Sequence, residues 1–341
     1  MLYYKNLFII IVASLFIIGC SGDGSFDEAG FDEAPPSSGE FIEGGDHGPY
    51  GQINWMNAPH FWEGNPSLAS ITLPGTHDSG TSNYGKFWAP YAKCQDVNIN
   101  KQLEWGVRFL DLRVGFDGFT NPQICHGSAG HANRSLNQVL LGVRNFLIQY
   151  SSECVVLLFD DEYNEGKRLI DAIEALLYNN DYRDYVYDKP DIPHLNDARG
   201  KMIYWRRYDY SLVGRGLKVP IFKKYLLFPL YENAYLSTQD NYECSDKEKW
   251  KDVEDFLGIA LRSAGEVPPI VNLIISFTSY YHGIPLPRLT AAFMNPKIKN
   301  YISKYQRANG GWPIHLGIIA SDFVSQDLAH RMLCTNFIRH Y

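Results

Sequence analysis

Short apolar runs alternate along this chain with stretches whose apolar positions recur every three or four residues. The runs ITLP (71–74), VRFLDLRV (107–114), CVVLLF (154–159), KMIYW (201–205), IVNLIISF (270–277) and HLGIIASDF (315–323) have strand length and are nearly continuous, the pattern of strands buried on both faces. Between them, three sets of apolar residues fall at helical spacing: Leu136, Val139, Leu140, Val143, Phe146 and Leu147; then Leu169, Ile170, Ile173 and Leu176; then Trp250, Val253, Leu257 and Leu261 within 246–263. Further helices are expected near 296–305 and from about Gln326, while 223–240 shows no clean period. Repeated βα units imply a parallel sheet covered by helices, and the predicted fold is α/β, a single irregular TIM-type barrel. A doubly wound open sheet is the rival, but no GxGxxG or Walker-type loop follows any strand.

The N-terminus reads differently. Lys5 precedes an apolar run from Leu7 to Ile18 broken only by Ser14, short for a bilayer span and typical of a secretory signal. It ends in Ile17-Ile18-Gly19-Cys20, which resembles a bacterial lipobox. Residues 1–19 are therefore expected to be a signal peptide, with Cys20 lipidated and the protein anchored to a membrane outside the cytoplasm. Residues 20–49 are rich in Gly, Ser, Pro, Asp and Glu, echo FDEAG in FDEAP, and read as a flexible acidic tether. The barrel is expected over 50–341.

Charge and cysteine usage narrow the function. The chain has 31 basic and 38 acidic residues, and loss of Lys5 with the signal leaves 30 against 38, a formal charge of −8. That argues against a nucleic-acid partner. Five cysteines follow Cys20, an odd number without CxxC or metal-ligand spacing, so at least one is unpaired within the chain.

In either fold, chemistry sits at the carboxyl ends of the strands. His77 and Asp78 follow ITLPG, Asp111 and Arg113 fall late in VRFLDLRVG, His126 follows QIC, and Asp322 ends HLGIIASD. Two-residue alternation puts Asp111 and Arg113 on one face and Leu110, Leu112 and Val114 on the other, so one polar pair points inward, as a structural ion pair or as part of a site. Two histidines, each with an aspartate available, make acid–base chemistry plausible. Cys125 and His126 would face opposite ways along a strand and form no dyad. Thr76, Ser79 and Ser128 lack a GxSxG elbow, and Thr76 or Ser79 would serve as a helix cap. No HExxH, DxDxDG or carboxylate cluster supports a metal site. Two histidines, an arginine and no evident protein nucleophile suit phosphoryl chemistry in which the substrate supplies its own hydroxyl.

LPGTHDSGT resembles the segment around the first catalytic histidine of the bacterial phosphatidylinositol-specific phospholipases C. FLDLRVG, CHGS, VVLLFDDEY, RGKMIYWRRY, TQDNYE, FTSYY, MNPKIKNYI and IIASDF resemble further family segments in the same order, over most of Trp55 to Phe337. The resemblance implies a distorted TIM barrel and cleavage of phosphatidylinositol, with glycosylated inositol lipids as a further candidate substrate, to a cyclic inositol phosphate and diacylglycerol. It implies His77 as the general base, oriented by Asp322, and His126 as the general acid, supported by Asp78 and Asp111. Arg113 would bind the phosphate where calcium-dependent relatives hold a metal, so no metal or other cofactor is expected. Arg207, Asp240 and Tyr242 would hold the inositol ring. One position departs from the pattern: near Asp160 or Asp161 the family usually has lysine. The expected partners are an inositol phospholipid and a membrane surface, with no protein partner implied. Phe87, Trp88, Pro90 and Tyr91 are read first as core residues, with bilayer contact as the alternative. Two other functions stay in play, a metal-dependent phosphodiesterase drawing on Asp160 and Asp161, and a non-catalytic inositol-lipid binding module.

Overall fold

The structure is a computed structural model that describes residues 51–85, 87–118, 120–211, 214–231, 233–263 and 271–338. The signal peptide, Cys20 and the acidic tether lie outside the described residues. In chain order the strands are β1 (Leu73–Thr76), β2 (Phe109–Phe116), β3 (Pro122–Cys125), β4 (His131–Ser135), β5 (Val155–Asp161), β6 (Val186–Tyr187), β7 (Met202–Arg206), β8 (Leu217–Lys218), β9 (Lys224–Tyr231), β10 (Ala234–Gln239), β11 (Val271–Phe277) and β12 (Ile318–Ser321). The main ladder runs β6-β7-β5-β2-β1-β12-β11-β10-β9, parallel throughout except for the β9–β10 hairpin. β3 and β4 extend β2 as an antiparallel flap, and β8 pairs with β7. The sheet curls into an irregular barrel, and its end strands β6 and β9 do not pair with each other among the described residues.

Strand parity sorts the apolar side chains into two cores. Leu73, Phe109, Val156, Leu158, Ile203, Trp205, Leu236, Leu273, Ile275, Ile318 and Ala320 fill the interior. Their neighbours Leu110, Leu112, Leu157, Phe159, Met202, Tyr204 and Ile319 meet the outer helices. The outer helix Leu136–Gln149 buries all six residues expected of its apolar face and starts on a capping box between Ser135 and Gln138. The helix Lys167–Leu177 buries Leu177 in place of the expected Leu176.

Three boundaries differ from the sequence pattern. β1 does not stop at Pro74 and Gly75 but runs through them to Thr76. The amides of Leu73 and His77 bond to the β12 side, at Gly317 and Ser321, so the Pro74 nitrogen faces β2, where pairing begins only at Phe109. Its missing donor costs little there. The last strand is only Ile318–Ser321, because Gly317 at φ 70° breaks it; a Cβ at that position would lie 2.6 Å from the Ile274 carbonyl oxygen. The helix near 296–305 is Pro287–Ala308, with Pro287 at its start and Pro296 inside it. Asn295, beside that proline, donates through Nδ2 to the Asp322 and Phe323 carbonyls, which ties the helix to the end of β12.

The amino ends of the strands are sealed by Trp55, Met56, Phe61, Leu68 and Ile71, and by a buried ion pair. Arg108 donates to Glu153 Oε2 from Nε (3.0 Å) and Nη2 (2.8 Å), and to the Ile53, Leu103 and Val107 carbonyls. This is the structural ion pair of the fold: every arm of the guanidinium ends on an acceptor.

Candidate active site

At the opposite ends of the same strands, parity carries the interior rows into polar residues. Leu73 and Gly75 lead to His77, Phe109 to Asp111 and Arg113, Val156 and Leu158 to Asp160 and Glu162, Trp205 to Arg207, Thr238 to Asp240, and Ala320 to Asp322. Two corners are bent into the left-handed region, Asp78 at φ 44° and Phe323 at φ 47°. For a bulky phenylalanine this is a strained conformation, held by its amide donating to the Cys94 carbonyl at 2.7 Å. Both corners lie directly after residues that contact each other.

That contact is between His77 Nδ1 and Asp322 Oδ1, at 2.8 Å. His77 Nε2 lies 2.8 Å from Arg113 Nη2 and 3.3 Å from Asp78 Oδ2. A guanidinium only donates, so the shorter contact calls for a neutral ring with its proton on Nδ1 toward Asp322 and its Nε2 lone pair facing the site. Burial alone would lower the His77 pKa; the charges of Asp78 and Asp322 outweigh it and raise the value to about 9, against some opposition from Arg113. The neutral ring accepts from Arg113, and the protonated ring donates to Asp78.

His126 approaches from the other side. Its Nε2 is 3.3 Å from the same Asp78 Oδ2, and its Nδ1 is 2.9 Å from the Ala92 carbonyl. Asp78 thus bridges both imidazoles, while its Oδ1 lies 2.9 Å from Arg113 Nε. Burial would raise the Asp78 carboxyl, but Arg113, His126 and His77 together bring it down to about 2. Asp111 goes the other way: burial dominates over the pull of Arg113, and its pKa is raised. Its Oδ2 accepts the Asp78 amide at 3.2 Å and lies 3.7 Å from Arg113 Nε.

Arg207 forms a second centre, 3.2 Å from Asp160 Oδ2, 3.6 Å from Asp240 Oδ2 and 3.9 Å from Asp111 Oδ1. Tyr242 places its ring 6.4 Å from that of His77. All nine expected residues therefore share one cluster. Asp160 and Asp161 separate: Asp160 faces Arg207, while Asp161 accepts the Glu165 and Gly166 amides and caps a turn. Metal-type donor sets do occur here, namely His77, Cys94 and Asp322, or Asp78, Cys94 and His126, or His77, Asp78 and Asp111. Arg113 already supplies the cation between Asp78 and Asp111, and burial pushes the Cys94 thiol well up, which makes it a poor ligand.

Several expectations are corrected. Neither Thr76 nor Ser79 caps a helix: they share a hydrogen bond at 2.7 Å, Thr76 also bonds Gln102, and the short turn Thr81–Asn83 that follows has no side-chain cap. Ser128 is exposed in the turn Gly127–Ala129, and the five described cysteines are buried, with Cys125 Sγ close against Gly115. Phe87 (59% exposed), Trp88 (37%) and Tyr91 (44%) are surface residues rather than core, as is Pro90, because the helix Ala89–Ala92 is a single turn that buries only Ala92. Two residues were not anticipated. Glu162 lies 3.4 Å from Arg113 Nη1 and accepts the Gly127 amide at 2.7 Å, joining the arginine to the His126 turn; parity with Asp160 was its available signal. Gln95, which donates to the His77 and Ser321 carbonyls, sits in a loop and had none.

Asp322→Asn is expected to lower the His77 pKa, since one of the two carboxylates that raise it is removed. Because the folded value exceeds the usual 6.5, protonated His77 stabilises the native state. That contribution is complete below pH 6.5 and fades as pH rises through about 9. Titration of the His77 ring by NMR in both proteins checks the direction; an unchanged or higher value in the variant would refute it.

Residues 71–208 match the family described as phosphatidylinositol-specific phospholipase C, X domain. The 1-phosphatidylinositol phosphodiesterase of Listeria monocytogenes is 27% identical over 295 residues, covering 83% of this chain and 84% of the relative. That of Staphylococcus aureus is 23% identical over 283 residues, covering 76% and 86%. The solved phosphatidylinositol-specific phospholipase C from Listeria monocytogenes superposes with a TM-score of 0.68 at 26% identity, over 84% of this chain and 100% of the other. A double mutant of the Staphylococcus aureus enzyme gives 0.72 at 21% identity, over 85% and 98%. With that X domain at residues 71–208 and that barrel around it, the chain is a relative of the bacterial phosphatidylinositol-specific phospholipases C.

Proposed function

We propose that this protein cleaves phosphatidylinositol to a cyclic inositol phosphate and diacylglycerol. The observation that carries the reading is the bridge in which one Asp78 oxygen meets both imidazoles while Arg113 lies beside His77. A phosphodiester seated on Arg113 would have a base on one side and an acid on the other. The neutral form of His77, the one that accepts from Arg113 and is oriented by Asp322, takes the proton of the inositol 2-hydroxyl; that oxygen attacks phosphorus, and the bond to the diacylglycerol oxygen breaks. His126 gives the leaving oxygen its proton. The hydroxyl is tethered to the phosphorus it attacks, so no water or enzyme nucleophile enters the first step. Arg113 offers its donors to the phosphate oxygens as charge builds on them. Arg207, Asp160, Asp240 and Tyr242 supply donors, acceptors and a ring face to the inositol.

Two points favour this over a metal-dependent phosphodiesterase. Asp160 is engaged by Arg207 and Asp161 by backbone amides, so neither is the open carboxylate such a site requires. The test is to incubate the protein with phosphatidylinositol and with phosphatidylcholine, chelator present, and follow the products by phosphorus NMR. A cyclic phosphate from the inositol lipid alone is expected. Activity that vanishes with chelator and returns with calcium would establish the metal-dependent alternative, and inositol binding without turnover a binding module.

The exposed Phe87, Trp88, Pro90 and Tyr91, which follow the His77 segment, suit contact with the bilayer that holds the substrate. We also propose export and membrane anchoring through lipidated Cys20. Cys20→Ser should move the protein from the membrane fraction to the soluble one, and retention in the membrane fraction would reject the anchor.

A further inference from the structure

The helix Asp246–Ser263 begins with Ser245 Oγ accepting the Glu248 amide (3.3 Å) and the Glu248 carboxylate accepting the Ser245 amide (2.9 Å). The next residue, Lys249, is fully buried. Burial disfavours its charge, and so does the positive end of the helix dipole in this first turn. Burial brings its ammonium down to about 8, although Asp240 pulls the other way. Among the described residues its hydrogen bonds end on neutral acceptors and it makes no ion pair. A methionine would avoid both costs, so the contacts of this lysine are informative.

Lys249 Nζ donates to Gln239 Oε1 at 3.1 Å and to the Asn241 carbonyl at 3.2 Å, the two residues that flank Asp240. Gln239 in turn donates to Ser276 Oγ (2.8 Å) and the Phe277 carbonyl (2.7 Å), so the ammonium links the helix to the carboxyl ends of β10 and β11. Asn241 Nδ2 bonds Asp252, in the same helix. The turn held this way carries Asp240 toward Arg207 and Tyr242 toward His77.

We propose that Lys249 is a positioning residue for the headgroup pocket, fixing the 239–242 turn from behind so that Asp240 and Tyr242 meet the inositol ring. The role rests on the phospholipase reading above. Lys249 bonds neither histidine nor Arg113, so its loss falls on substrate binding rather than on the chemical step.

Wild type, Lys249→Met and Lys249→Arg are compared on phosphatidylinositol in detergent micelles, with myo-inositol as a soluble competitor. Lys249→Met should raise KM and the inhibition constant of myo-inositol together by about tenfold or more, with kcat within about threefold of wild type. Lys249→Arg, which keeps the charge and donors, should recover most of the loss. Should Lys249→Met fail to fold, Lys249→Gln takes its place, with the same expectation. Unchanged KM in the folded neutral variant, or a loss confined to kcat, overturns the role while leaving the phospholipase reading intact. Failure of all three variants to fold makes Lys249 a folding residue and overturns it as well. Absence of wild-type turnover overturns both.

Discussion

Replacing His77 with alanine is expected to reduce turnover of phosphatidylinositol by about 10²–10⁴-fold, the range typical of losing one acid–base group. The physical ground is that His77 is the buried imidazole whose Nδ1 is fixed by Asp322, leaving Nε2 toward Arg113 and the space a phosphate would take. His126→Ala should cost a similar factor on the lipid. The two differ in how the leaving group matters. A soluble inositol phosphodiester with an acidic phenol as leaving group needs little protonation, so it should restore much of the His126→Ala rate and little of the His77→Ala rate. Circular dichroism should show both variants folded, with a modest loss of about 1–3 kcal/mol for His77→Ala because Asp322 is left without its donor. Wild-type-like turnover by either variant would remove that histidine from the mechanism, and equal rescue of both would remove the division of labour.

Much of this site was legible because a parallel barrel turns strand parity into function. Once VRFLDLRV is read as a strand, Asp111 and Arg113 must share the face opposite Leu110 and Leu112, and they do. The same two-residue step from Leu158 gives Asp160 and then Glu162, but the apolar run stops at Phe159 while the strand continues to Asp161, so the run alone does not reach Glu162. Boundaries failed where tertiary contacts override local rules. Pro74 looked like a strand end, but it sits where its nitrogen has no partner to lose, and Pro296 looked like a helix start, but the helix runs through it. Gln95 and Lys249 carry no signal for a different reason: Gln95 donates to the carbonyls of His77 and of distant Ser321, Lys249 reaches back across a turn to Gln239 and Asn241, and no periodicity records either contact. The exposed cluster at Phe87 and Trp88 defied composition, because a one-turn helix has too little inner face to bury large rings.

Arg113→Lys is the sharper probe of the proposed phosphate site. The guanidinium reaches Asp78 through Nε at 2.9 Å, His77 through Nη2 at 2.8 Å and Glu162 through Nη1 at 3.4 Å. An ammonium keeps the charge but cannot span three directions at once. The lysine variant should therefore stay folded, with the buried carboxylates still compensated, and lose about 10²–10³-fold in kcat, the scale of removing one oriented donor from a developing oxyanion. Arg113→Ala removes the charge as well, leaves Asp78 and Asp111 buried without their cation, and should also cost about 3–5 kcal/mol of stability. Denaturant melts and kcat on the same preparations separate the two effects. If Arg113→Lys retains wild-type kcat, the arginine serves only to neutralise its carboxylates, and the phosphate must be held elsewhere; if its stability falls as far as that of the alanine variant, fork geometry rather than charge holds the site together.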